Sequence, residues 1–181
     1  MQALIIIDAQ NEFSSSGKRP VPHHSKFIEA ITKRVEQFRS ANLPIAWVKH
    51  HNKPLESPAF VPGSWGADFV PGFGPKPGTE LELVFEKNVY GVFTGTNIGL
   101  WLESLNVNEV LFVGFYTHGC LSTSAREAIM KDLSVSIDPN ATGACDMENA
   151  VLGKLTADEV RRSALIQLAS MGAIIAPFIN N

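Results

Sequence analysis

The chain predicts an α/β fold of the doubly wound kind, a three-layer α/β/α sandwich around a mainly parallel six-stranded sheet. Three observations carry this. Short, almost wholly apolar runs recur along the sequence, as strands covered on both faces require. Segments of helical periodicity lie between them. The two alternate, which is the pattern of right-handed crossovers and parallel pairing. A length of 181 residues suits one domain, 1–181, with one well-buried core.

Taken in order, the first strand is Ala3–Ile7. Ile28, Ile31, Val35 and Phe38 then repeat at helical spacing, giving an amphipathic helix over about 24–40. The second strand is Ile45–Val48. Residues 52–78 break the rhythm, with six of the eleven prolines and five of the fourteen glycines. Such a stretch excludes a long helix or an interior strand. Its aromatics, Trp65, Phe69 and Phe73, predict an ordered and functional loop. A weaker strand follows at Leu83–Phe85, then a helix over about 96–105 marked by Ile98, Trp101, Leu102 and Leu105. The third strong strand, Val110–Gly114, leads into a helix over about 119–131. Ser134–Ile137 and Ala173–Ile175 are weaker strands. Between them a capping box, Thr156-Ala-Asp-Glu159, starts a helix that turns Val160, Ala164, Leu165 and Leu168 inward.

Composition excludes several classes of function. The chain is 45% hydrophobic and 18% charged, as ordinary globular proteins are. A net charge of −3 without a basic stripe argues against nucleic acid as a partner. No apolar run approaches the ~20 residues of a membrane span. The start, Met1 to Asp8, has neither the basic leader nor the small-residue cleavage site of a signal peptide. Two cysteines do not make a disulfide framework. The expectation is a cytoplasmic protein with reduced thiols.

Three reactive side chains follow predicted strands. Asp8 ends the first, Lys87 follows Leu83–Phe85, and Cys120 follows Val110–Gly114 by a short turn. Parallel strands share a direction, so these residues meet at one edge of the sheet. Aspartate, lysine and cysteine are a base, a cation and a nucleophile. A thiol at the start of a helix faces unpaired backbone N–H groups, so Cys120 is expected to favour its thiolate. Each residue alone has an ordinary alternative. Asp8 could cap a turn, Lys87 could be solvated at the surface, and Cys120 could be a small buried hydrophobe. A flavodoxin-like nucleotide binder is disfavoured, because the glycine-rich phosphate loop is missing.

Four segments extend the case: Ala3-Leu-Ile-Ile-Ile-Asp8-Ala-Gln-Asn-Glu-Phe13, Pro62-Gly-Ser-Trp-Gly-Ala67, Glu86-Lys87-Asn-Val-Tyr-Gly-Val-Phe93 and Gly114-Phe-Tyr-Thr-His-Gly-Cys120-Leu-Ser-Thr-Ser-Ala-Arg-Glu-Ala128. Together, and in this order, they resemble the isochorismatase-like cysteine hydrolases, a family with nicotinamidases and N-carbamoylsarcosine amidohydrolases. The resemblance implies a catalytic triad of Asp8, Lys87 and Cys120. It implies a cis peptide between Phe115 and Tyr116, and an oxyanion hole made by the backbone N–H groups of Tyr116 and Cys120. It also implies hydrolysis of a C–N bond in a small amide, ureido or carbamoyl compound through a thioester. Phe13 and Trp65 match positions that wall the family's substrate pocket, and His118 is expected to contact substrate rather than act as base. Arg126 is expected in a structural ion pair, and Cys145 as a structural thiol. The family commonly forms dimers or tetramers, with Trp101 and Leu105 as candidate interface residues.

The chain departs from the best-known members in one respect. Many nicotinamidases carry a metal site of the form Asp-x-His plus a later His. Here Val48-Lys49-His50-His51-Asn52 aligns with it, so His50 stands where the aspartate would be and Asn52 where the first histidine would be. Neighbours on an extended segment point to opposite faces. The expectation is no metal and no cofactor, with one histidine lining the pocket and the other solvated. Isochorismatases proper cleave a vinyl ether and lack cysteine at the nucleophile position, so Cys120 argues against that reaction. A non-catalytic, ligand-binding member of the fold is the remaining alternative.

Overall fold

The computed structural model describes residues 1–53 and 55–177. The strands are β1 (Gln2–Ile7), β2 (Ile45–His50), β3 (Glu82–Lys87), β4 (Glu109–Phe115), β5 (Ser134–Gly143), β6 (Met147–Asn149), β7 (Gly153–Leu155) and β8 (Ile174–Ile175). The helices are α1 (His24–Ser40), α2 (Ile98–Ser104), α3 (Ser122–Met130) and α4 (Ala157–Ser170). The main sheet has six strands in the order β3-β2-β1-β4-β5-β8, all parallel among the described residues. All six strands and the four helices expected from the sequence are present. The small antiparallel hairpin β6–β7 is an addition.

The side-chain period of a strand explains the layers. Along β1, Ala3, Ile5 and Ile7 enter a core shared with Ile98 and Leu102 of α2, Ala125 of α3 and Leu168 of α4. Leu4 and Ile6 enter the opposite core, shared with Ile31, Val35 and Phe38 of α1. A strand buried on both faces has no polar alternation, which is why the apolar runs were legible. Trp101 and Leu105 are half-buried against the first core, and the Trp101 ring lies 5.4 Å from Phe85. Within the single chain they pack against this core.

Two buried ion pairs tie the layers together. Arg34 of α1 reaches Asp138 of β5 (2.6 Å) and also donates to the Ala176 carbonyl (2.8 Å). Glu82 accepts from Arg39 of α1 through both oxygens (2.9 Å each), from the Trp47 indole (2.9 Å) and from the Lys76 backbone N–H. Burial would raise the Glu82 carboxyl, but Arg39 and Trp47 outweigh it and hold it below the usual range. The proline-rich loop is anchored by its aromatics: Phe69 and Phe73 pack on Trp47 at 5.8 and 5.7 Å. The capping box at Thr156 and Glu159 is formed, and Val160, Ala164, Leu165 and Leu168 are buried as their spacing predicts.

Candidate active site

The strand order reverses between β1 and β4, and their carboxyl ends open a crevice there. Asp8 is the residue after β1 and turns away from it in the left-handed region (φ 51°), which aspartate tolerates better than most residues. Lys87 closes β3 in register with His50, the last residue of β2. Cys120 lies in the turn Thr117–Leu121 that follows β4. Lys87 Nζ donates to Asp8 Oδ2 at 2.8 Å, and both side chains are sealed from solvent. Lys87 is therefore not a surface lysine. Asp8 Oδ1 is buried without a hydrogen-bond partner, and Cys120 Sγ lies within 4.8 Å of the Asp8 carboxylate. Burial alone would pull the Lys87 pKa down, but Asp8 and Cys120 outweigh it and raise it above the usual lysine value.

The thiol differs from its expected state. Cys120 is 8% exposed. Burial and the Asp8 carboxylate push its pKa well up, against a smaller downward pull from Lys87. Both effects act against the thiolate that the helix start suggested. Desolvation penalises the charged form more than a short turn of backbone dipoles favours it. The arrangement is thus a buried thiol beside a carboxylate that is ion-paired to a lysine.

The Thr117–Leu121 turn is held from below. Thr142 of β5 donates to the Gly114 carbonyl (2.7 Å), which leaves Thr117 to donate to Thr142 Oγ1 (2.8 Å). Gly114 has φ +112°, and a Cβ there would lie 1.9 Å from the Ile7 carbonyl oxygen, so only glycine lets β4 pass β1 here. The Phe115–Tyr116 peptide is cis. The Tyr116 hydroxyl donates to the Arg19 carbonyl (2.8 Å), and burial and the neighbouring Cys145 raise its pKa.

His50 occupies the centre of a second network. Its Nδ1 lies 3.2 Å from Lys87 Nζ, and its Nε2 lies 2.9 Å from Asn52 Oδ1. An ammonium has only protons to give, so Nδ1 accepts and the ring proton sits on Nε2. Asn52 Nδ2 donates to the Ala59 carbonyl (2.7 Å), which fixes the amide's orientation. Gln10 clamps the His50 backbone by accepting from its N–H (2.8 Å) and donating to its carbonyl (3.0 Å). Burial and Lys87 lower the His50 pKa, keeping it neutral. His51 points the other way, toward Glu86 at 3.5 Å. The two histidines divide between faces as the strand geometry requires.

Asp8, His50, Asn52 and Cys120 line a cleft of about 700 Å³. Phe13 and His118 line it, as expected. Phe13 packs among Phe60, Phe115 and Tyr116, and His118 stacks on Tyr116 at 5.1 Å with its Nδ1 buried and unpartnered. Trp65 does not line it. The Trp65–Ala67 turn docks on Asn11–Phe13 through its backbone, with Asn11 Nδ2 donating to the Trp65 carbonyl (2.9 Å), and the indole is left 54% exposed. Arg126 forms no ion pair among the described residues; it hydrogen-bonds Gln167 and Met171 of the α4 region. Cys145 is half-buried and lines the cleft rather than the core. Phe60, Tyr90 and Arg19 also line it without having been singled out in the sequence. For Phe60, the signal available was its place in the proline-rich loop.

Among the described residues, Asp8, His50 and Cys120 are the set whose ligand atoms (all within 4.8 Å of one another) could converge on a metal ion. The Lys87 ammonium already takes one oxygen of Asp8 and the Nδ1 of His50. His50 and Asn52 spend their facing atoms on each other. The donor set is therefore engaged by a lysine rather than arranged for a cation.

The isochorismatase domain profile matches residues 2–173. The chain belongs to the isochorismatase family. It is 33% identical to the secreted isochorismatase effector of Verticillium dahliae over 144 residues, 80% of this chain and 73% of that protein. It is 29% identical to nicotinamidase 3 of Arabidopsis thaliana over 183 residues, 90% of this chain and 88% of that one. An isochorismatase of Pseudomonas putida KT2440 superposes with a TM-score of 0.88 at 26% identity, covering 97% of this chain and 87% of that structure. As an isochorismatase-family hydrolase, the chain carries its Asp8–Lys87–Cys120 cluster at the switch point of the family fold. No helix among the described residues is long and apolar enough to cross a membrane.

Proposed function

We propose that the protein is a cysteine hydrolase that cleaves a C–N bond of a small amide, ureido or carbamoyl compound through a thioester. The observation that carries this reading is the unpartnered, buried Asp8 Oδ1 beside Cys120, with Lys87 on the carboxylate's other oxygen. Asp8 takes the thiol proton as Cys120 Sγ attacks the carbonyl carbon, so no free thiolate has to accumulate in the buried site. The oxyanion rests on the backbone N–H groups of Tyr116 and Cys120. Asp8 returns the proton to the leaving nitrogen, and the C–N bond breaks to release ammonia or an amine. Water, deprotonated by Asp8, then attacks the thioester, and Cys120 leaves with the proton restored. Lys87 stays an ammonium throughout and stabilises the sulfur's developing negative charge.

Phe13 and His118 serve as substrate contacts in this reading, walling the side of the cleft next to Tyr116. The similarity to a nicotinamidase supports an amide as the substrate type. Two free thiols suit a reducing, cytoplasmic setting. Vinyl ether hydrolysis is the second reading, favoured by the name of the Verticillium relative, and needs no acyl-enzyme. The test is ammonia release from a panel of small amides, ureido acids and carbamoyl compounds by the wild type, Cys120→Ala and Cys120→Ser. Loss of release in both variants is expected. A Cys120→Ala protein that keeps most of its activity would refute the nucleophile.

A further inference from the structure

The cluster of Asp8, Lys87 and Cys120 leaves one contact of the lysine unexplained. An ammonium has three protons. One goes to Asp8 Oδ2 at 2.8 Å, one faces the Cys120 thiol, and the third goes to His50 Nδ1 at 3.2 Å. His50 is in turn set by Asn52, and Asn52 by the Ala59 carbonyl. Asn52 and the following residues Glu56, Ser57 and Phe60 form one wall of the cleft. The Phe60 ring meets the His50 imidazole edge-on at 5.3 Å.

We propose that Asn52 and His50 form a relay that couples the cleft wall of Asn52, Glu56, Ser57 and Phe60 to Lys87, with His50 as the positioning residue that fixes where the ammonium points. This rests on the hydrolase reading above, because it assigns a purpose to the lysine's orientation. The relay works only in one protonation state. With the proton on Nε2, Nδ1 accepts from Lys87 and Nε2 donates to Asn52. With a second proton, Nδ1 opposes the ammonium and the lysine loses its third anchor. A displaced wall moves Asn52, frees the imidazole and lets Lys87 swing off Asp8 and Cys120. A misplacement of ~1 Å at such a group costs about 100-fold in rate.

The groups facing His50 are Lys87 from β3, Asp8 after β1, Cys120 before α3, and Glu56 and Asn52 from the loop. Lys87 opposes protonation of the ring, whereas Asp8, Glu56 and the Asn52 hydrogen bond favour it. Changing Asn52 therefore moves the His50 titration in a direction that depends on the replacement. Asn52→Asp sets a carboxylate against Nε2 and raises the midpoint; Asn52→Leu removes the acceptor and lowers it.

The experiment is a pH titration of protein with 15N-labelled histidine, following the imidazole nitrogens of His50 by NMR in the wild type and both variants. His50→Phe supplies the assignment, and circular dichroism checks that the variants fold. The wild type is expected to hold a neutral ring at pH 7 with its proton on Nε2. The midpoint is expected to move up by about one unit in Asn52→Asp and down in Asn52→Leu. A proton on Nδ1, no shift in either variant, or shifts in the same direction would overturn the relay. Because the titration uses no substrate, the relay can fail while Cys120→Ala is inactive. Equally, the nucleophile can fail while His50 titrates as described, so the two outcomes are separable.

Discussion

Removing the Lys87 ammonium while keeping its length, as Lys87→Met, isolates the charge at the centre of the site. Asp8 and Lys87 have side chains 1% and 0% exposed, and their pair is 2.8 Å long. Asp8 Oδ1 has no other partner, so the variant leaves a buried carboxylate with neither oxygen paired. Breaking one side of a buried pair costs roughly 3–5 kcal/mol, because the remaining charge is stranded. For a domain of this size each kcal/mol moves the melting temperature by about 2–4 °C, so a fall of roughly 10 °C is expected. Asp8→Asn combined with Lys87→Met removes both charges, and should recover about 2 kcal/mol or more relative to the sum of the single variants. Urea unfolding followed by circular dichroism gives the four corners of the cycle, provided the m-value is constant. A Lys87→Met protein within about 1 kcal/mol of wild type, or strictly additive variants, would refute the reasoning. It would mean that Asp8 is solvated or that the pair is not formed.

Further expectations concern the frame around the site. Asp138→Ala leaves the Arg34 guanidinium buried without its carboxylate and should cost about 3 kcal/mol, measured by the same unfolding assay. Gly114→Ala drives a Cβ into the Ile7 carbonyl at φ +112°, and should lower stability by more than about 3 kcal/mol or abolish soluble expression. His24, His50 and His118 are held neutral by burial, with pKa values below 6.5. The unfolded chain therefore binds more protons just below that pH, and unfolding free energy should fall as pH drops below 6.5. Glu82 is held below its usual 4.5, so its contribution is present above that pH and lost below it; Glu82→Gln should flatten the acid end of the stability profile.

The centre of the sheet was legible because β1, β2 and β4 are buried almost throughout. Ala3–Ile7 contributes to both cores and has no polar residue to blur the signal. The hairpin β6–β7 was not legible, since its strands are three residues long and exposed. Asp8, Lys87 and Cys120 could be read as neighbours because each follows a parallel strand, and topology alone brings them to one edge. Their protonation could not. The helix start after Cys120 suggested a thiolate, whereas burial and the Asp8 carboxylate act against it. Trp65 accepts from Asn11 through its carbonyl and keeps its ring 54% exposed, a placement that the motif alone does not encode. The His50 contact with Lys87 depends on the register between β2 and β3, which no local pattern encodes. Arg34 reads as the polar face of α1, yet it is buried by a carboxylate 104 residues away.

The central claim is that Cys120 carries the acyl group during turnover. Acid quenching during turnover of the best substrate from the panel, followed by intact-protein and peptide mass spectrometry, tests it directly. The account predicts an adduct of the acyl mass on the peptide containing Cys120, present in the wild type and absent in Cys120→Ala along with ammonia release. Turnover by Cys120→Ala, or an adduct on Cys145 instead, would contradict it.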